Sequence, residues 1–382
     1  NPGSVTSLEK DEEGRFKRCC IVPNACAVAA CRTPKQLLMM DGFVLKGSWS
    51  GTGLVFAVGS ANGELSVVCL VICDLETKDN YLYGIKNMLR HPDLAKTLQD
   101  NEWAVLSDRA KGLISAVLEG IPKAVQHYCL KHLLRNAPAA GPEGTKLVWE
   151  AARAANLADF NTAMTKLKRV APGTHNFLLA DDQPPACWAL HMRWLPCYGQ
   201  ETNNWAESSV NWVGSDVQEA SPMEVLEDAC LKISASWSAK KQAGIIRQAE
   251  GKLYTVEACK LFEKERQQAG EYAIMPASAT VFQALRQGKR QQVDMEVFTC
   301  TCRFPQQYKI ACRHMIAVHL FKRNQPLQLS ELIDSGFLVS QYIEAYDVPL
   351  FVPLLEELIR EEEIRPPLPV VRPGKQKSSK KR

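Results

Sequence analysis

The chain of 382 residues is long enough for two or three structural units, and its 46% hydrophobic and 23% charged content is that of a globular protein. A net charge of +4 is too small to argue for nucleic acid by itself, and no run approaches the ~20 apolar residues of a membrane span. Fourteen cysteines diluted over this length, some in apolar runs such as Cys69 and Cys73, fit a reducing intracellular compartment better than a secreted disulfide framework.

The chain opens at Asn1 rather than Met and without signal-peptide order, as a fragment or processed product would. Residues 1–36 are mixed, with a weak amphipathic stretch at Phe16–Cys31. Leu37–Leu45 then reads as a strand, and Leu54–Val58 as a second after the turn Gly47–Gly53. Asn62-Gly63 supplies a hairpin signal before the very apolar strand Leu65–Cys73. Three strands joined by tight turns predict an antiparallel meander.

The period then changes. Leu82, Ile85, Met88 and Leu89 fall at helical spacing within Tyr81–Leu98. A strand at Trp103–Leu106, a helix at Lys111–Glu119, a strand at Ala124–Tyr128 and a helix at Cys129–Asn136 follow. Strands alternating with helices require crossovers and a parallel half-sheet, and the whole order fits an RNase H-like α/β fold. Residues 139–251 read as helical, Tyr254–Leu285 as helix and irregular structure, and 328–361 as one or two helices. The tail holds six Lys or Arg in its last eleven residues and little apolar content, so it is expected to lack fixed structure.

Three acids have positions that suit metal chemistry. Asp41 interrupts the apolar strand Leu37–Phe43, where an ionised group is costly unless paired or metal-bound. Asp108 follows a strand and precedes a helix, at the carboxyl edge of the sheet. Glu207 shares a helical face with Asn203 and Asn211. Each has an ordinary reading too: a strand-edge residue, a helix N-cap and a solvated face. Together they suit a site for two divalent cations, which take carboxylate oxygens and assist phosphodiester cleavage.

The motifs around these acids carry a resemblance. Asn1-Pro2-Gly3-Ser4 with Met40-Asp41-Gly42-Phe43-Val44-Leu45-Lys46-Gly47 resembles the opening of the Mutator-like (MULE) transposase domain. Leu106-Ser107-Asp108-Arg109-Ala110-Lys111-Gly112-Leu113 resembles its second acid motif. Cys129-Leu130-Lys131-His132 resembles its Cys-x-x-His motif, and Thr202-Asn203-Asn204-Trp205-Ala206-Glu207-Ser208 its third acid motif. The resemblance implies a DDE triad of Asp41, Asp108 and Glu207 holding Mg²⁺ or Mn²⁺. It also implies DNA as partner, at transposon ends and target, with a homo-oligomer on that DNA and a nuclear location.

Near the carboxyl end, Cys300-Thr301-Cys302 is followed after nine residues by Cys312-Arg313-His314. Three thiolates and an imidazole make a closed tetrahedral set, as structural zinc prefers. The arrangement resembles the SWIM zinc finger. Cys129 and His132, with Cys187 and His191 as conceivable partners, are an accessory metal candidate beside the plainer reading of core packing. The expected organisation is a transposase-like domain over 1–251 with an all-helical insertion at about 139–200, a SWIM finger at 279–322, and a disordered Pro-rich basic tail at 364–382. The alternative is a domesticated DNA-binding regulator without catalysis, and a more distant one is an RNase H-like nuclease of another substrate.

Overall fold

The computed structural model describes residues 2–46, 49–203, 221–322, 327–352, 364–368 and 370. The amino-terminal part forms β1 (Val5–Lys10), β2 (Phe16–Val22), α1 (Asn24–Arg32), β3 (Leu37–Val44), β4 (Thr52–Gly59), β5 (Leu65–Cys73), α2 (Lys78–Met88), α3 (Pro92–Asp100), β6 (Ala104–Ser107), α4 (Lys111–Gly120), β7 (Val125–Tyr128) and α5 (Leu130–Asn136). Its strands make one seven-stranded mixed sheet in the order β1-β2-β5-β4-β3-β6-β7. β3, β6 and β7 run parallel to their neighbours in that group, and the other pairings are antiparallel.

The predicted meander and the alternating half are both present. Leu65–Cys73 forms the strand expected from its apolar run, and Gly63 makes the preceding turn in the left-handed region at φ +79°. Two expectations need correction. The amphipathic stretch Phe16–Cys31 divides at Pro23 into strand β2 and helix α1, and β1 with β2 extends the sheet by two strands. The helix expected over Tyr81–Leu98 is two helices, because Pro92 opens α3 at its first turn while His91 caps it.

One sheet face packs Leu38, Met40, Leu54, Phe56 and Val71 against α2 and α4. The helical insertion follows as α6 (Gly141–Arg153), α7 (Leu157–Val170) and α8 (Pro172–Leu178), gathered around Leu147, Phe160, Leu167 and Trp188. After it come α9 (Pro222–Ala249), opened by a Ser221–Glu224 capping box, and α10 (Val256–Arg266). The stretch expected as helix and irregular structure to Leu285 instead contains strands. β8 (Ala273–Pro276), β9 (Val281–Arg286), β10 (Lys289–Asp294) and β11 (Thr299–Cys300) form a second, antiparallel sheet. Helices α11 (Phe304–Tyr308), α12 (Arg313–Lys322) and α13 (Val339–Ala345) follow among the described residues.

The other face of the large sheet joins this carboxyl-terminal part in one apolar cluster. Phe43, Val55, Ala57 and Ile72 pack with Ile233 and Trp237 of α9 and with Phe282, Met315 and Ile316. The start of the tail is more ordered than its composition predicts: Arg365 exchanges backbone hydrogen bonds with the Gly14–Phe16 turn, and Leu368 accepts from the Trp49 indole at 3.1 Å. Residues 371–382 lie outside the described residues. Among the described residues, no helix is long and apolar enough to cross a membrane.

Candidate functional site

The four zinc candidates are drawn together by strand, turn and helix. Cys300 ends β11, paired with Val293 of β10. Cys302 follows by two residues, and α11 then turns the chain back between two left-handed residues, Arg303 (φ 62°) and Lys309 (φ 55°). Pairing of Ile310 with Ile333 delivers Cys312 to the start of α12, whose first turn carries His314.

The ligand atoms of Cys300, Cys302, Cys312 and His314 all lie within 4.8 Å of one another. His314 Nδ1 stands 3.5 Å from Cys300 Sγ and 3.6 Å from Cys312 Sγ. A tetrahedron with metal–ligand bonds of about 2.0–2.3 Å has edges of roughly 3.3–3.8 Å, and the two distances from His314 fall in that range. Its electrostatics ask for a cation. Hydrogen bonds from the thiols of Cys302 and Cys312 pull Cys300 down to about 4. Burial, then the bond to Cys300, pushes Cys312 well up. Three sulfurs this close cannot all ionise without positive charge between them.

Residues 292–321 match the SWIM zinc finger family. No curated protein matches the chain. The finger lies inside the expected 279–322, and its Cys/His set is the zinc-binding cluster predicted from spacing. His319, on the same helix, faces Glu331 at 3.8 Å rather than the cage.

Support for the SWIM cage reaches it from outside the matched segment. Glu265 of α10, nearly inaccessible, accepts from Arg313 N at 3.0 Å, Nε at 2.9 Å and Nη2 at 2.7 Å. Arg313 stands between two ligands, so this clamp fixes the backbone that presents both. Tyr272 packs edge-on against the His314 ring at 4.7 Å. Sequence reading missed Glu265, which looks like one more charge on an ordinary helix. Glu265→Gln is expected to weaken zinc binding about 10- to 100-fold, as loss of a ligand-orienting partner does. Competition with a chromophoric chelator measures this, and unchanged affinity would remove Glu265 from the support.

Two of the three candidate acids sit on or just after the parallel strands of the large sheet. β3 pairs with β6 in parallel register through Leu37–Ala104, Leu38–Val105 and Met39–Leu106. Carried two residues further, that register sets Asp41 level with Asp108. Asp108 Oδ1 accepts from Ala110 N at 3.0 Å, and Asp41 Oδ1 from Gly42 N at 3.0 Å. That bond to Ala110 N is of the kind the helix-cap reading expects, although Ala110 itself stands at the cap position of α4. Arg109 turns aside to pair with Asp182. Glu207 lies outside the described residues.

A further carboxylate enters here that sequence reading missed. A Cβ at Gly42 would stand 2.5 Å from the carboxyl carbon of Glu76, so the glycine makes room for that acid beside Asp41. The buried Tyr81 hydroxyl bonds Glu76 at 3.4 Å. Burial, then the charges of Glu76, Asp108 and Asp41, hold its phenol well above the usual range. All three carboxylates thus act on one hydroxyl. The available signal was Glu76's place just past an apolar strand, the argument that had singled out Asp108.

Cys129 and His132 are buried on and just before α5. The Cys129 sulfur accepts from Asn203 N at 3.2 Å, and Cys129 N donates to Ser107 O at 2.8 Å. His191 stacks with Phe160 at 4.4 Å. Among the described residues the metal-ligating cluster is that of Cys300, Cys302, Cys312 and His314.

Proposed function

We propose that this chain is the catalytic core of a DDE-type DNA transposase of the Mutator-like group, built on an RNase H-like sheet and carrying its SWIM finger as a structural zinc module. The observation that supports the reading is the parallel pairing of β3 with β6 through Met39–Leu106, a register that, carried two residues further, brings Asp41 level with Asp108. Beside them Asn203, which opens the third acid motif, donates through Nδ2 to Met40 O at 2.8 Å, one residue before Asp41.

In this reading Asp41, Asp108 and Glu207 hold Mg²⁺ or Mn²⁺, hard cations suited to carboxylate oxygens, and Glu76 adds a further oxygen donor. Bound there, such ions assist attack on a phosphodiester and stabilise the leaving oxygen. The protein's part is to fix the carboxylates on rigid elements and to bind DNA at transposon ends and target as a homo-oligomer. The basic tail Lys375–Arg382 suits nuclear import or phosphate contact.

The test is to incubate the full-length protein with duplexes carrying its terminal repeats, with Mg²⁺, Mn²⁺ or neither. Strand cleavage that needs the metal and the repeat supports the transposase. Salt-sensitive binding without cleavage in either metal replaces it with the domesticated regulator. Metal-dependent cutting indifferent to the repeat replaces it with a nuclease of another substrate.

A further inference from the structure

We infer that the SWIM finger braces the acidic site, with Gln307 as a positioning residue that ties the zinc cage to the backbone beside Asp41. The part of this inference that concerns catalytic metal rests on the transposase reading; the brace itself does not.

The link begins at a zinc ligand. The Gln306 side chain donates to Cys300 O at 3.0 Å and accepts from Cys300 N at 3.4 Å, and Arg303 N donates to Cys300 O at 2.8 Å. α11 is thereby fastened to the cage, between two left-handed residues that an L-amino acid adopts only under constraint. Zinc holding both ligand pairs supplies that constraint.

From α11, contacts reach the segment 193–203. The buried Gln307 accepts from Cys197 N at 3.0 Å, and Arg303 Nη1 donates to Arg193 O at 2.8 Å. The Tyr308 ring lies where a side chain on Gly199 (φ +76°) would stand. Pro34 O accepts from Tyr198 Oη at 2.7 Å and from Lys309 Nζ at 3.4 Å, so segment and finger share one anchor.

The segment in turn lies on the parallel strands. Cys197 and Tyr198 pack with Leu37, Met39, Ala104 and Leu106, the residues of β3 and β6 that lead into Asp41 and Asp108. Leu130 N then donates to Glu201 O at 2.9 Å. Fully buried Asn203 closes the path with its bonds to Cys129 Sγ and Met40 O. Between Cys300 and Met40 the path runs through part-buried hydrogen bonds at Gln306 and Arg303, the buried bonds of Gln307 and Asn203, the apolar contacts of Cys197 and Tyr198, and the chain that joins them. Such a path conveys order because a buried amide that loses its acceptor must find another or open to water.

The experiment compares wild type, Gln307→Leu and Gln307→Glu in the full chain by zinc content, amide hydrogen exchange and Mn²⁺ affinity. Gln307→Leu should keep its zinc while exchange at Cys197–Asn203 accelerates about tenfold or more and Mn²⁺ binding weakens by a similar factor. Gln307→Glu, which retains an acceptor, should restore both. As a measurement free of mutation, chelating zinc from wild type should expose 193–203 before β4 and β5. Unchanged exchange at 197–203, either in zinc-replete Gln307→Leu or after chelation, overturns the brace. If wild type binds no Mn²⁺, the acidic metal site falls, and the exchange data still decide the brace.

Discussion

Replacing Cys302 with serine is expected to strip the protein of its zinc. A hydroxyl stays protonated at neutral pH and is a poor zinc ligand, so the substitution removes one of three thiolates from a four-ligand cage. Structural zinc is worth about 10–16 kcal/mol in finger peptides, and the folding of such modules draws on that energy. Cys302 is the least buried of the four, so serine there loses the ligand without opening a cavity. Elemental analysis should find zinc in wild type and almost none in Cys302→Ser, and amides over 292–321 should exchange much faster. A mutant that retains its full zinc would show that the cage holds something else or closes without this sulfur.

Asp108→Asn is the second large effect expected. Asparagine keeps the size of the side chain and an oxygen that can accept from Ala110 N, so the strand end should keep its shape. The charge is lost, and with it, on the proposed transposase reading, a ligand for ions that stabilise the transition state. Metal-dependent cleavage of the cognate duplex should fall on the order of a thousandfold or more. DNA binding should stay close to wild type and equally sensitive to salt, because it rests on basic groups and phosphates. If the variant cuts as fast as wild type, the chemistry lies elsewhere in the molecule.

Legibility in the sequence followed the strength of local patterns. Leu65–Cys73 announces itself as an apolar run closed by turn signals, and β6, α4 and β7 emerge within a residue or two of their expected bounds. The zinc ligands were readable because metal geometry restricts both residue type and spacing. β1 and β2 were not, since both strands carry mixed polarity and the pattern at Phe16–Cys31 runs across Pro23. β8 was hidden because it is largely exposed and shows no alternation. Glu76 and Glu265 owe their roles to partners far along the chain, Gly42 and Arg313, which no local pattern reveals. Of the proposed triad, the alignment of Asp41 with Asp108 extends a register that the alternating strands and helices make natural, while Glu207 falls outside the described residues.

The apolar cluster that runs from Phe43 and Ile72 through Trp237 to Met315 and Ile316 has a consequence for how such a chain can be divided or inherited. A zinc finger on a tether can be copied, lost or exchanged by recombination with little harm to its host. This one supplies part of the host's interior. A gene truncated between Gly251 and the first cysteine ligand would keep α9 but strip Phe282, Met315 and Ile316 from this cluster, exposing part of one apolar face, and its product would be expected to self-associate. The two regions therefore share one interior, and separating them is expected to cost the stability of both.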